Sequence, residues 1–216
     1  MIKKIVILSA ITTSILFTNA FALTSAEVLK SKKKKEVPFE VQKTFNKVAE
    51  LLNIDRDILI KLSYLESSVT NYSALINANN PQLVKGFLNQ AQIPYKQYDN
   101  FFSIGINKKE LAHDFYTKMK KFETQNPNAI KTYDIGIMQI NKSNFKRLKV
   151  DEYKYYMNPE LNILLSGYVL KSCGLQFRGY FPDVIECYNK GVKKSKFIAS
   201  DYEYYKKYKK LKLIEM

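Results

Sequence analysis

Glu66 sits where a carboxylate is costly. Asp55 and Asp57 suit the start of a helix: a side-chain oxygen there accepts orphan backbone N–H bonds, and negative charge meets the positive end of the helix dipole. From that start, Leu59, Leu62 and Glu66 fall at i, i+3 and i+7, with Ile58 and Leu65 close to the same face. The helix therefore turns Glu66 toward the interior. An ionised carboxylate taken out of water must be paired, become protonated or lie in a cleft. In an apolar pocket a glutamate keeps its proton to higher pH and can serve as a general acid.

Other chemistries lack their parts. The single histidine, His113, lies on a helix-patterned segment without a Gly-x-Ser-x-Gly elbow anywhere in the chain, and reads as structural. No cluster of His, Cys, Asp or Glu has metal-ligand spacing, and no glycine-rich phosphate loop is present, so neither metal nor cofactor is expected. Asp134 reads as a turn or cap residue. Glu186 lies two positions before Tyr188; on a helix the two side chains diverge, and Glu186 reads as surface. What remains is acid–base work by one carboxylate.

Three short segments stand in order along the chain. Glu66-Ser67 ends one helix, Gly136-Ile137-Met138-Gln139-Ile140-Asn141 follows, and Tyr188-Asn189 with Gly191 ends another helix. They resemble the Glu-Ser, Gly-Leu-Met-Gln and Tyr-Asn motifs of lytic transglycosylases of the soluble lytic transglycosylase type. The flanking runs IDRDILIKLSYLES and NPELNILLSGYVL are similar to that family's helices, and the resemblance spans roughly residues 40–192. Ile137 stands in place of the family's leucine. Glu66 and Gly136 are far apart, so residues 73–131 read as an insertion. The run Asp134 to Asn141 is similar to small members that accompany envelope-spanning secretion machines.

The resemblance implies a lysozyme-like domain, α+β and mostly α, that cleaves the MurNAc-GlcNAc bond of peptidoglycan and leaves 1,6-anhydro-MurNAc ends. It implies Glu66 as the catalytic residue, with Tyr188 approaching and orienting it. Met138 and Gln139 would line the sugar groove, and Ser67, Gly136 and Asn189 would support the site or bind substrate. One catalytic carboxylate suits this chemistry, whereas hydrolases commonly use two. The rivals are a goose-type lysozyme-like hydrolase and a non-catalytic glycan-binding scaffold.

The elements that must position these residues read as mostly helical. FEVQKTFNKVAELLN has helical spacing closed by Asn53, and Pro81 opens a short helix. Residues 93–107 read as an irregular loop or a small hairpin, and 108–126 as a helix. DIGIMQIN reads as extended chain or a turn, and NKSNFKRL as a helical turn. Asn158 and Pro159 open a strong helix that Gly174 ends, and Phe181 to Lys190 forms another.

Residues 1–22 have a basic start, an apolar run and the small-x-small pattern Ala20-Phe21-Ala22, which is the layout of a cleaved secretory signal peptide. No second long apolar stretch follows, so no transmembrane anchor is expected after cleavage, and the expected location is the periplasm. Losing Lys3 and Lys4 lowers the formal charge from +15 to +13. A chain this basic outside the cytoplasm meets anionic envelope polymers, and no nucleic-acid motif is present. Export permits a disulfide between Cys173 and Cys187, with two buried free thiols as the alternative. Residues 23–36 read as a basic flexible lead-in and 37–199 as the catalytic domain. Residues 200–216 read as a basic, Tyr-rich tail that is either a solvated helix end or a docking segment.

Overall fold

The computed structural model describes residues 37, 39–191, 197 and 199–213; the signal-peptide and lead-in segments lie outside the described residues. The helices α1 (Phe39–Leu52) and α2 (Arg56–Ser67) come first. Asn53 separates them with φ +48°. As the sequence requires, Asp55 caps α2, its Oδ1 accepting the Asp57 N–H at 2.8 Å. The α2 residues Leu59, Ile60, Leu62 and Ser63 are buried.

The segment read as an insertion supplies most of a sheet. It carries β1 (Ala74–Ala78), α3 (Pro81–Gln90), β2 (Lys96–Tyr98), β3 (Phe101–Ile104), α4 (Lys109–Gln125) and the start of β4 (Ile130–Ile135). With β5 (Ile140–Asn141) the strands form one antiparallel sheet in the order β2-β3-β1-β4-β5. Ala74 lies opposite both Ile104 and Ile135, which fixes the register on either side of β1. All five residues of β1 are buried, so it has no alternation of polar and apolar positions to announce it. Residues 93–107 thus resolve as a hairpin, and 134–141 as strand, turn and strand.

The remaining helices are α5 (Lys142–Leu148), α6 (Glu152–Tyr156), α7 (Pro159–Gln176), α8 (Phe181–Lys190) and α9 (Glu203–Lys210), the last preceded by a short 3₁₀ turn. The architecture is α+β and mostly α, consistent with a lysozyme-like domain. Helix α7 is the hub: it packs against α1, α6 and α8. Asn158 Oδ1 accepts the Leu161 N–H at 3.2 Å and Pro159 opens the helix. Gly174 does not end α7. The helix runs on to Gln176, and the chain reverses at Arg178 and Gly179, whose N–H donates to the Gly174 carbonyl at 2.8 Å. A Cys173–Cys187 disulfide with Cα atoms 5.8 Å apart joins α7 to α8.

The tail is not a solvated helix end. Helix α9 packs on α8 and α2, with Tyr204 and Tyr208 buried. Tyr205 and Tyr208 meet Phe181 edge-on, and Lys61 lies over the Tyr208 ring. The limit drawn at residue 199 therefore leaves out a helix that packs on two others.

Two substitutions test these local readings by urea unfolding. Asp55→Ala removes the α2 cap and should cost about 1 kcal/mol. Gly86 lies inside α3, where an added Cβ meets nothing within 4 Å, so Gly86→Ala should stabilise by about 0.5–1 kcal/mol.

Candidate functional site

Helix α2 ends in an unusual way. Ser68 (φ +54°) closes it in the left-handed region, and Val69 follows at φ +61°. A β-branched residue there is strained, and such strain persists only where the surroundings over-determine it. The surroundings do: the Val69 N–H donates to the Ser63 carbonyl at 3.2 Å. Ser67 Oγ donates to the Ile137 carbonyl at 2.7 Å and accepts the Thr70 N–H at 3.1 Å. The end of α2 is thereby fastened to the turn between β4 and β5.

That turn, 136–139, is built from backbone groups that find partners on three sides. The Gly136 N–H donates to the Ser73 carbonyl at 2.8 Å, and Ser73 Oγ donates back to the Gly136 carbonyl at 3.0 Å. Asn162, fully buried on α7, accepts the Met138 N–H at 2.9 Å and donates to the Ile135 carbonyl at 3.2 Å. The Tyr188 hydroxyl donates to the Met138 carbonyl at 2.9 Å. Gly136 has φ +86°, and a Cβ on it would come within 2.3 Å of Asn162 Nδ2, so only glycine fits.

Several sequence expectations change here. The Met138 side chain is fully buried and does not line a groove; its backbone carries the contacts. Gln139 Nε2 lies 2.8 Å from both Ser73 Oγ and the Gly136 carbonyl, so it holds the turn closed. Tyr188 is brought near Glu66 but hydrogen-bonds Met138. The hydroxyl that reaches Glu66 belongs to Tyr204 on α9, which donates to its Oε1. Asn189 follows Tyr188 on α8 and is partly exposed. His113 meets the Tyr153 hydroxyl at 2.8 Å on the surface.

Two acids lie elsewhere than their sequence context suggests. Asp134 is neither turn nor cap: it lies on β4, buried, and accepts from Asn141 Nδ2 at 2.7 Å. Glu186 is not on the surface but fully buried. Asn162, Tyr204 and Glu186 were thus missed as site-building residues. Asn162 sits within the NPELNILL run, which gave a signal; nothing local singled out the other two.

The electrostatics favour a protonated site. Burial is the main reason that the Glu66 carboxyl is raised to about 8; the Tyr204 hydrogen bond and Lys207 oppose the rise, and Asp134 adds to it. Burial likewise raises Asp134 to about 7, against the Asn141 hydrogen bond. Burial, then the neighbouring Glu66, pushes the Tyr188 hydroxyl well up. Glu66, half-buried, therefore resists ionising near neutral pH; Tyr204 bonds it, and Tyr188 and Asp134 lie within electrostatic reach. Among the described residues no group of His, Cys, Asp and Glu is arranged to hold a metal ion.

Residues 118–211 match the family model of the transglycosylase SLT domain. No curated protein and no solved structure matches the chain. The matched range contains the 136–139 turn, Tyr188 and Tyr204, and begins after Glu66.

Both acids have folded pKa values above their unfolded ones, so their contribution to stability is full below about pH 4 and is lost as pH rises through about 7 to 8. Urea unfolding should show the protein less stable at pH 8 than at pH 5, and Glu66→Gln should remove part of that loss, of order 1 kcal/mol. Gly136→Ala should destabilise by about 2 kcal/mol or more at either pH.

Proposed function

We propose, from the match of residues 118–211 to the transglycosylase SLT domain, whose family comprises lytic transglycosylases acting as glycan lyases on peptidoglycan, the following reaction for this site. Glu66 is the catalytic acid and then the catalytic base. Its proton passes to the glycosidic oxygen of a MurNAc-GlcNAc bond as the bond from the MurNAc anomeric carbon breaks. The Glu66 carboxylate then takes the proton of the same sugar's C6 hydroxyl, whose oxygen bonds to the anomeric carbon. The products are a free GlcNAc hydroxyl and a 1,6-anhydro-MurNAc end. Glu66 regains its proton and no water is consumed.

The observation that carries this reading is a carboxyl bonded by the Tyr204 hydroxyl at the end of α2, beside the 136–139 turn, where burial raises its pKa to about 8. A group that must donate and then accept one proton works best with a pKa near the ambient pH. Ser67, Gly136, Gln139 and the Met138 backbone support the site by fixing the turn against α2. Asn189 binds substrate from the end of α8. In this reading residues 1–22 direct export and are removed, and the enzyme works in the periplasm. There it opens glycan strands locally for an envelope-spanning assembly such as a secretion machine. Among the described residues no helix is long and apolar enough to cross a membrane.

Asp134 favours a second reading. It is a buried carboxylate within electrostatic reach of Glu66, as the two-carboxylate hydrolases require. A lysozyme-like hydrolase would use it, when ionised, to stabilise the oxocarbenium-like centre or to activate water.

Peptidoglycan digestion with residues 23–216 separates the readings, with muropeptides analysed by mass spectrometry. The transglycosylase gives products one water lighter than hydrolysis products, loses them in Glu66→Gln and keeps them in Asp134→Asn. Hydrated products that disappear in Asp134→Asn would establish the hydrolase. The rate should also decline as pH rises past about 8, where Glu66 loses its proton.

A further inference from the structure

Glu186 is a buried carboxylate that the proposed reaction does not use. It is fully enclosed on α8, next to Cys187 and two residues before Tyr188. One oxygen, Oε1, accepts the backbone N–H of Tyr205 at 2.7 Å. The other faces Lys190 Nζ at 3.2 Å as an ion pair without hydrogen-bond geometry. Lys190 in turn bonds the Asp201 carbonyl. These contacts reach the start of α9, where Tyr202 offers no side-chain cap. Tyr205 is the third residue of that helix, so its N–H has no partner within the helix. Glu186 satisfies it from a neighbouring helix and places a negative charge at the positive end of the α9 dipole.

We propose that Glu186 is a positioning residue for catalysis: by capping α9 from α8, it sets the register that brings the Tyr204 hydroxyl onto Glu66. Tyr204 and Tyr205 are adjacent, so the bond that fixes one backbone amide fixes the origin of the other side chain. Taking a carboxylate wholly out of water is costly, and leaving its partner amide unmet would be costly too, which makes this contact specific to one placement of the helix. The Cys173–Cys187 disulfide holds α8 against α7 at the residue beside Glu186. The same helix therefore presents Tyr188 to the 136–139 turn and α9 to Glu66.

This inference rests on Glu66 being the catalytic acid, and its test has a readout independent of turnover. The Glu66 titration is followed by NMR on selectively labelled glutamate, beside muropeptide release. The charged and titratable groups facing Glu66 are Tyr204 and Lys207 on α9, Tyr188 on α8 and Asp134 on β4, and Glu186 itself reaches Tyr204 and Lys207 electrostatically. Glu186→Leu removes the acceptor, so Tyr204 should leave Glu66, and the Glu66 pKa should rise, as in Tyr204→Phe. Activity should fall about tenfold, and Glu186→Leu combined with Tyr204→Phe should lose no more than Tyr204→Phe alone. Glu186→Gln keeps the acceptor and deletes only the charge; it should leave the Glu66 pKa unchanged or lower and retain most activity. A Glu66 titration unmoved by Glu186→Leu, or additive losses in the double variant, would overturn the proposal. Should Glu186→Leu fail to fold, Glu186→Gln still decides, because a loss equal to that of Tyr204→Phe would show that the acceptor is not what matters. Turnover surviving in Glu66→Gln would instead sink the assignment of Glu66 and leave the titration result standing.

Discussion

A carboxyl that is to hold its proton near neutral pH must be shielded from most of the surrounding water, and most of the described site, where Glu66 is half-buried, follows from that requirement. Glu66 lies on the inner face of α2, a position that an ordinary amphipathic helix gives to an apolar residue. Desolvation there outweighs the hydrogen bond from Tyr204 and the attraction of Lys207, both of which favour ionisation. Asp134 contributes in the same direction as burial, since two carboxylates in one site resist ionising together.

The enclosure is assembled from distant parts of the chain. Ser67 ties α2 to the Ile137 carbonyl, Asn162 ties the turn to α7, and Tyr188 ties it to α8. Each of these bonds meets a backbone group that burial would otherwise leave unpaired. The turn is thus held by side chains rather than by its two short strands, and Gly136 is required because Asn162 occupies the space where a Cβ would stand. The inserted segment serves the same end: Ser73, just before β1, donates to and accepts from the turn, so the sheet that the insertion builds is also its support.

Helix α9 completes the enclosure, and its anchoring is electrostatic as well as apolar. Tyr204 and Tyr208 bury their rings against α2 and α8, while Glu186 meets the first turn of the helix. Lys207, Lys209 and Lys210 then fall in the last turn, where positive charge suits the helix dipole. The basic character of the tail is in this respect compatible with close packing, because alternate faces of a helix can serve burial and solvent at once.

The sequence by itself determined most helices and several of their ends from local signals: Asp55 before α2, Asn158 and Pro159 before α7, Gly191 after α8; Gly174, a like signal, lies inside α7 instead. It also placed Glu66 on an inner face, because helical spacing is a property of the local chain. Spacing could not reveal β1, buried throughout, or β4, buried except at Lys131, because neither shows a regular alternation. Nor could it place Glu186 and Tyr204, since each is defined by a partner on another helix, 19 and 138 residues away in sequence. A charged residue on a short helix reads as solvated until a second helix covers it. Only the tertiary structure decides that covering, and with it which carboxylates stay dry.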